Sequence, residues 1–522
     1  MKKVIIIFVS ACFIGCSAVR FVGNPITVVS NNSKSNDLFS DELKEQWSLL
    51  DIKKDSVPGM SVIRAKNELI SDQKSNTVTV AIIDSGVDIE HPYLSSHIWI
   101  NEDEIPNNKI DDDKNGYVDD IHGWNFLGDS NKENMEYVRL LKKSNPKDSM
   151  YNVYNDEILK VVNQTNQTIM RIEELSKLLS VSDSIVSLIT GKDNYTLEDL
   201  DEIQTAPENE QVLMAIDFIK EAKTRNWNAE GFESAINYYK SRLEYHVNVD
   251  FDGRKVVGDD PDDINDIDYG DSNVIGLDKD DARHGTHVSG IVVSIADNVK
   301  IMPIRCVPDG DEYDKDVALA IRYAVDNGAD IINFSFGKSY SPHPDWVNSA
   351  MEYASENDVL IVNAAGNDAK DIDSDSHKSY PSDNNSGVEF IDNLITVGAS
   401  TFNYTENQIA NFSNYGVKNV DVFAPGFQVY SSIPNGEFAY LNGTSMASPN
   451  AAGVAAVLRS YYPKLSASTI KKIIINSGVM MHHSINKPRT EDVIGPKAIS
   501  KSGKTVNLYN ALLLASLTKN GK

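Results

Sequence analysis

Cysteine is nearly absent from this chain, with three in 522 residues. Cys12 and Cys16 fall in the first sixteen positions, which leaves Cys306 alone in the remainder. A disulfide framework is excluded for the body, because a lone thiol has no intramolecular partner. Basic side chains are also scarce: 49 Lys and Arg stand against 76 Asp and Glu, for a formal charge of −27. That balance excludes a nucleic-acid-binding body, since phosphates are neutralised by Lys and Arg. Beyond the first sixteen residues, no stretch approaches the ~20 apolar residues of a membrane-spanning helix. What remains is an ordinary globular composition, 41% apolar and 24% charged. The length suits more than one unit, or one large α/β enzyme with insertions.

The N-terminus carries an address. Lys2 and Lys3 form a basic start, and residues 4–13 make a mostly apolar run that is too short to span a bilayer and fits a signal-peptide core. Phe13-Ile14-Gly15-Cys16 resembles a bacterial lipobox, although Phe13 stands where Leu is usual. In such a motif Cys16 becomes the lipid-bearing first residue after cleavage. The alternative is an ordinary secretory signal ending near Ala18. Lipidation implies an exported protein anchored to a membrane of the cell envelope, each buried CH₂ contributing about 0.8 kcal/mol.

Residues 16–40 carry Ser and Asn clusters without periodicity and read as a tether. Residues 41–75, with Trp47, Leu49, Leu50, Ile52 and a Pro58-Gly59 turn, read as an irregular packed arm. From residue 76 the pattern changes. Val78 to Ile83 is almost entirely β-branched and apolar, the signature of a strand covered on both faces. Similar runs occupy 301–307, 330–334, 359–363, 394–399 and 420–424, with helical patterns at 287–296, 316–327 and 346–357. This alternation implies an α/β fold with a doubly wound, mostly parallel sheet, written in two parts, 76–130 and 249–522. Residues 131–248 do not alternate. They are polar and Gly-poor, and Ile158, Val162, Ile169, Ile172 and Leu179 recur at helical spacing. An inserted helical hairpin or small bundle is expected, its apolar stripes serving helix packing.

Three motifs sit where strands end, the position at which open α/β sheets hold their ligands. Ile83-Asp84-Ser85-Gly86 places an acid at the end of a buried strand, either as a turn cap or as a catalytic carboxylate. His284-Gly285-Thr286-His287 opens a helix, but its histidines are three apart and lack the intervening Glu of a zinc-protease motif. Asn442-Gly443-Thr444-Ser445-Met446-Ala447-Ser448-Pro449 leads into a helix of small residues, and it lacks the second Gly of a G-x-S-x-G elbow. A serine hydroxyl is a weak nucleophile that needs an imidazole to take its proton. The imidazole in turn needs a carboxylate to fix its tautomer. Ser445 at a helix start stands beside free backbone N–H groups.

These residues, in the order Asp84, His284, Ser445, resemble the subtilisin-like serine peptidases (subtilases). Asn363-Ala364-Ala365-Gly366-Asn367 resembles the family's oxyanion segment, with Asn367 as side-chain donor. Phe412-Ser413-Asn414-Tyr415-Gly416 and Val422-Phe423-Ala424-Pro425-Gly426 resemble the stretch before its serine. Asn333-Phe334-Ser335-Phe336-Gly337 is similar to the edge on which a peptide lies as an added strand, so Ser335, Phe336 and Gly337 are expected to bind substrate. The resemblance spans roughly 76–130 and 249–515. It implies a subtilisin-like fold and a serine endopeptidase acting on polypeptides through an acyl-enzyme, with no cofactor required for the chemistry. The rival is a catalytically silent scaffold whose helical insertion binds a protein partner. His287 and Cys306 are expected to be packed core residues.

The chain departs from the family in several places. The 200-residue separation of Asp84 and His284 is accounted for by residues 131–248, a lid, specificity element or docking arm, or else a dispensable surface feature. Residues 17–75 are too short and irregular for an independently folding propeptide. Asp111, Asp113 and Asn115 with Gly116 carry the first-half spacing of a calcium loop, with Asp119 as a further oxygen, but His122 stands where the closing Glu belongs. Calcium or a solvated acidic loop are the two readings. A second acidic run, residues 259–281, holds ten Asp and reads as a solvated face, a cation site or a bias toward basic substrates.

Overall fold

The computed structural model describes residues 21, 23–27, 40–203, 209–385 and 387–518. Cys16 and most of the tether lie outside them. The organising element is β1 (Val78–Asp84). Its side chains alternate between two cores, as the two-residue period of a strand requires. Val78, Val80 and Ile82 enter one apolar cluster, and Ala81 and Ile83 enter another on the opposite face.

β1 pairs in parallel with β3 (Val299–Arg305) on one side and β4 (Ile331–Phe334) on the other. Beyond β4 follow β5 (Leu360–Ala364), β6 (Leu394–Ser400) and β7 (Val422–Pro425), all parallel. The short β2 (Trp124–Asn125) closes the β3 edge. At the far edge β11 (Lys504–Thr505) joins β7, and β10 (Val479–Met480) adds the sheet's antiparallel pair. The nine strands run in the order β10-β11-β7-β6-β5-β4-β1-β3-β2. A separate hairpin, β8 (Val429–Ile433) with β9 (Glu437–Leu441), leads into the Ser445 helix.

Helices cover both faces, as the apolar runs require. The helices at Arg283–Ile295 and Thr444–Tyr461 pack on one face. Those at Asp314–Asp326 and Pro344–Glu356 pack on the other. Each of the three helices expected from periodicity starts two to four residues earlier than the apolar pattern suggested, because the first turn is built from polar residues. Pro344, for example, opens its helix where a missing N–H costs nothing. The arm is held by Trp47, which is 1% exposed and donates its indole N–H to the Gln428 carbonyl at 3.1 Å.

Among the described residues between β2 and the His284 helix, the stretch from 136 to 246 is mainly helical. We number these helices α1 (Glu136–Lys143), α2 (Tyr151–Thr190), α3 (Glu210–Thr224) and α4 (Ala229–Ser241). α2 has 40 residues and ends at Gly191 with φ +67°; at 1.5 Å per residue it spans about 60 Å. Its base packs with Tyr137, Val138 and Val247, and Tyr340 of the main body joins that cluster. Its far end packs on α3 through Val186, Ile216 and Ile219. Among the described residues, no helix is long and apolar enough to cross a membrane.

Candidate active site

Parallel strands deliver their carboxyl ends to one rim, and Asp84 is the last residue of β1. Its carboxylate is 1% exposed. Oδ1 accepts the Ser85 N–H at 2.8 Å and faces His284 Nδ1 at 2.7 Å. His284 is the second residue of its helix, and Gly285 makes the approach feasible. A Cβ at position 285 would lie 2.1 Å from the Gly86 carbonyl oxygen and 3.2 Å from Asp84 Oδ1, so any side chain there would push the helix off the carboxylate. Burial of the imidazole disfavours its charged form. The Asp84 charge and the hydrogen bond outweigh that cost, and the His284 pKa is raised above the ordinary 6.5.

The same helix is pinned from the other side by the β8–β9 hairpin. His287 Nε2 faces the Val429 and Ala439 carbonyls at 3.1 and 3.0 Å. Its pKa is lowered to about 4, chiefly by burial. His287 is therefore a neutral packing residue, as the sequence suggested. Cys306, in the strand extension beside Asp84, is fully buried, and burial raises its thiol pKa.

Ser445 is the second residue of the helix Thr444–Tyr461, where backbone N–H groups have no intrahelical acceptor. Its hydroxyl donates to the Ser335 carbonyl at 3.0 Å. In return the Ser335 hydroxyl donates to the Ser445 carbonyl at 2.9 Å. That carbonyl is free because Pro449, four residues on, has no N–H to offer it. Ser448 then ties the helix to β4 and β5, donating to Asn333 Oδ1 at 2.8 Å and the Val362 carbonyl at 3.0 Å. Among the described residues no hydrogen bond joins Ser445 to His284, so a rotation of the hydroxyl about its Cα–Cβ bond is the step that would engage the imidazole.

Asn367 follows β5. Its Oδ1 accepts from both the backbone and the hydroxyl of Thr444, at 2.8 and 3.0 Å, and Thr444 Oγ1 accepts the Gly366 N–H at 3.0 Å. With the carbonyl end so held, the amide Nδ2 is the end left to point at a ligand. A Cβ built on Gly443 would stand 3.4 Å from the Ser445 N and 3.6 Å from Asn367 Nδ2. The Ser445 N and Asn367 Nδ2 thus flank one point 3.5 Å from the Ser445 Cβ, a placement suited to two donors for a developing oxyanion. Thr444, which fixes this amide, was not singled out by the sequence; its place between Gly443 and Ser445 was the available signal.

Of the expected substrate edge, Ser335 lies under the serine helix, Phe336 packs half-buried against Phe334, and Gly337 is exposed. No strand pairs with 335–337 among the described residues. Lys338 then closes the segment, bridging to Tyr380 in both directions at 3.0 and 2.9 Å.

The acidic loop is rearranged relative to its spacing. Glu104, Asp111 and Asp113 bring carboxylate oxygens within 4.8 Å of one another. Asp119 instead accepts the Asn108 and Lys109 N–H groups at 3.1 and 3.0 Å. The Asn115 amide serves Asp113, Asp120 and the Tyr117 N–H. Those two residues shape the loop, and Glu104, whose distance in sequence gave no signal, takes their place in the cluster. In the second acidic run, the side chain of Asp259 is enclosed, not solvated, and pairs with Arg254 and Lys315, each at 2.6 Å.

A family model described as the Subtilase family matches residues 75–500. The chain is similar to a cell wall-associated protease of Bacillus subtilis (strain 168), 36% identical over 206 residues, covering 37% of this chain and 21% of the relative. A thermophilic serine proteinase of Bacillus sp. (strain AK1) is 36% identical over 226 residues, 41% of this chain and 49% of the relative. Subtilisin DY of Bacillus licheniformis is 35% identical over 198 residues, 36% and 67% of the two chains. The chain thus spans from about a fifth to about two thirds of these relatives' lengths.

Replacing Asp84 by Asn removes the charge that holds the imidazolium. NMR titration of isotopically labelled histidine is expected to show the His284 midpoint above 6.5 in the native protein and shifted downward in Asp84→Asn, with the His287 midpoint still depressed in both.

Proposed function

We propose, taking as premise that the chain belongs to the subtilase family, that it is a serine endopeptidase whose triad is Asp84, His284 and Ser445. The observation that carries the reading is the pairing of a buried carboxylate with an imidazole, with the Ser445 N and Asn367 Nδ2 flanking one point beside the Ser445 side chain. In the acylation step Ser445 Oγ bonds to the scissile carbonyl carbon and its proton passes to His284 Nε2. Asp84 remains ionised, fixing the tautomer and stabilising the imidazolium. The tetrahedral oxyanion is held by Asn367 Nδ2 and the Ser445 N–H. The C–N bond then breaks as His284 returns the proton to the leaving amine. Water repeats the sequence to release the acid and restore the serine. The peptide lies along Ser335, Phe336 and Gly337, adding a strand to a stretch with which no strand pairs among the described residues.

Two further readings accompany it. The Glu104, Asp111 and Asp113 carboxylates have no Lys or Arg partner among the described residues, and three anions so close favour a hard divalent cation, for which Ca²⁺ is the fit. The Cys16 lipobox supports an exported protein anchored through lipid in the cell envelope. Cys16 itself lies outside the described residues.

Three measurements test these statements. Ser445→Ala is expected to abolish casein hydrolysis and fluorophosphonate labelling, and Asn367→Ala to lower kcat by about 10²–10³ with little change in KM. A native protein that takes no label is a silent scaffold. Calcium at 100 times its Kd adds about 2.7 kcal/mol of stability. Chelator is therefore expected to lower the calorimetric Tm of the native protein but not of Asp111→Asn/Asp113→Asn; equal melting of both would leave a plain acidic loop. Mass spectrometry of the exported protein is expected to find an acylated Cys16 at the N-terminus, and an unmodified start at Ser17 or later removes the anchor.

A further inference from the structure

Lys338 follows the exposed Gly337 directly, yet its side chain points inward and is 2% exposed. Its ammonium contacts three acceptors: Glu136 Oε2 at 2.8 Å, Asp314 Oδ1 at 2.9 Å and the Glu312 carbonyl at 2.7 Å. Asp314 and Glu312 belong to the main body. Glu136 does not: it is the first residue of α1, the helix that opens the long helical segment.

Glu136 is itself committed on all sides. Its backbone N–H donates to Asp311 Oδ2 at 2.7 Å, and its carboxylate pairs with Arg139 one turn along as well as with Lys338. Arg139 in turn donates to the Asp311 and Glu312 carbonyls at 2.8 and 3.0 Å. Burial works against the Glu136 carboxylate, but the two cations outweigh it and hold its pKa to about 2. Removing one partner of such a buried cluster leaves the other charge uncompensated, whereas exposed pairs contribute little. The apolar contact repeats the connection: Tyr340, two residues beyond Lys338, meets Tyr137 of α1 and Tyr154 of α2 at ring separations of 6.4 and 5.4 Å.

Besides its contacts with Asp309, Asp311 and Glu312, the helical segment therefore holds the main body at the residue that follows Ser335–Gly337. Lys338 alone carries both the backbone bridge to Tyr380 and the ionic bond to Glu136. We infer that Lys338 is a positioning residue, through which Glu136 of the helical segment sets the backbone of Ser335–Gly337 for extended peptide substrates. This rests on the reading that the edge binds peptide. The segment then acts on affinity for long substrates and leaves the chemistry at Ser445 untouched, since none of its residues here contacts Asp84, His284 or Ser445.

The test uses the full chain with three variants, Glu136→Gln, Lys338→Met and Lys338→Arg, assayed below their measured melting temperatures. Two substrates separate the roles: a tetrapeptide anilide, which lies along the edge, and a small acyl ester, which does not. Fluorophosphonate labelling reports on Ser445 itself. Glu136→Gln, which keeps the shape and one acceptor, is expected to raise KM for the tetrapeptide about tenfold, with kcat, ester turnover and labelling rate within about twofold of native. Lys338→Met is expected to do the same and Lys338→Arg to retain most of the native KM. An unchanged KM in a labelled, folded Glu136→Gln protein overturns the proposal, and so does an equal fall of labelling, ester and peptide turnover. A native protein that takes no label fails the peptidase reading instead, so the two failures are distinct.

Discussion

The geometry of the site depends on one buried contact, the Asp84 carboxylate against the His284 ring across the Cβ-free face of Gly285. A carboxylate without solvent is costly unless hydrogen bonds and an opposite charge compensate it. Here the Ser85 N–H and the imidazole supply that compensation at Oδ1, while Oδ2 is buried without a hydrogen-bond partner among the described residues. Because Asp84 is the last residue of the strand that divides the two cores, its position is set by packing on both faces. The His284 helix has no such freedom either: the hairpin behind it takes the His287 ring, and the Ser431 and Ser432 hydroxyls donate to its carbonyls at 2.8 and 3.0 Å. Carboxylate and imidazole are thus brought together by elements that are each fixed elsewhere, which is what preorganisation requires.

The serine side follows the same logic by a different device. A proline inside a helix removes a hydrogen bond, and here the carbonyl so released belongs to Ser445 and is taken up by Ser335. Helix and substrate edge are therefore linked through Ser335, just as oxyanion segment and helix are linked through Thr444. The edge is linked in turn to the helical segment through Lys338. Successive residues of one strand exit, 335 to 338, connect Ser445 to a buried ion cluster. The helical segment also meets the body at residues 309–312, where Asp309 pairs with Lys132 and His246 and the Asp311 and Glu312 carbonyls accept from Arg139.

Much of this was legible in the residues. The β-branched runs gave β1 and β3 to β7 to within about two positions, since a strand covered on both faces admits little else, whereas the short β2, β10 and β11 and the β8–β9 hairpin were not expected. The stripe at Ile158, Val162, Ile169 and Leu179 gave the long helix. The three catalytic candidates and Asn367 were legible because a triad and its oxyanion donors need particular side chains in fixed local settings. Less legible were features whose partners lie far off in sequence. Glu104 joins Asp111 and Asp113 only because the loop folds back, while Asp119, well spaced, turns to cap backbone N–H groups. Asp259, within a run that reads as solvated, has its side chain enclosed because Arg254 and Lys315 meet it from either side.

The sequence by itself determined the long strands and helices, the two-faced sheet and the identity of the candidate reactive groups. These follow from side-chain periodicity and from chemistry, both of which are local. Only the tertiary structure decided which charges share a cluster, which carbonyl the serine hydroxyl faces, and that Lys338 turns inward to meet Glu136 across 202 positions. Such choices depend on desolvation and pairing in space, and a linear spacing carries no information about either.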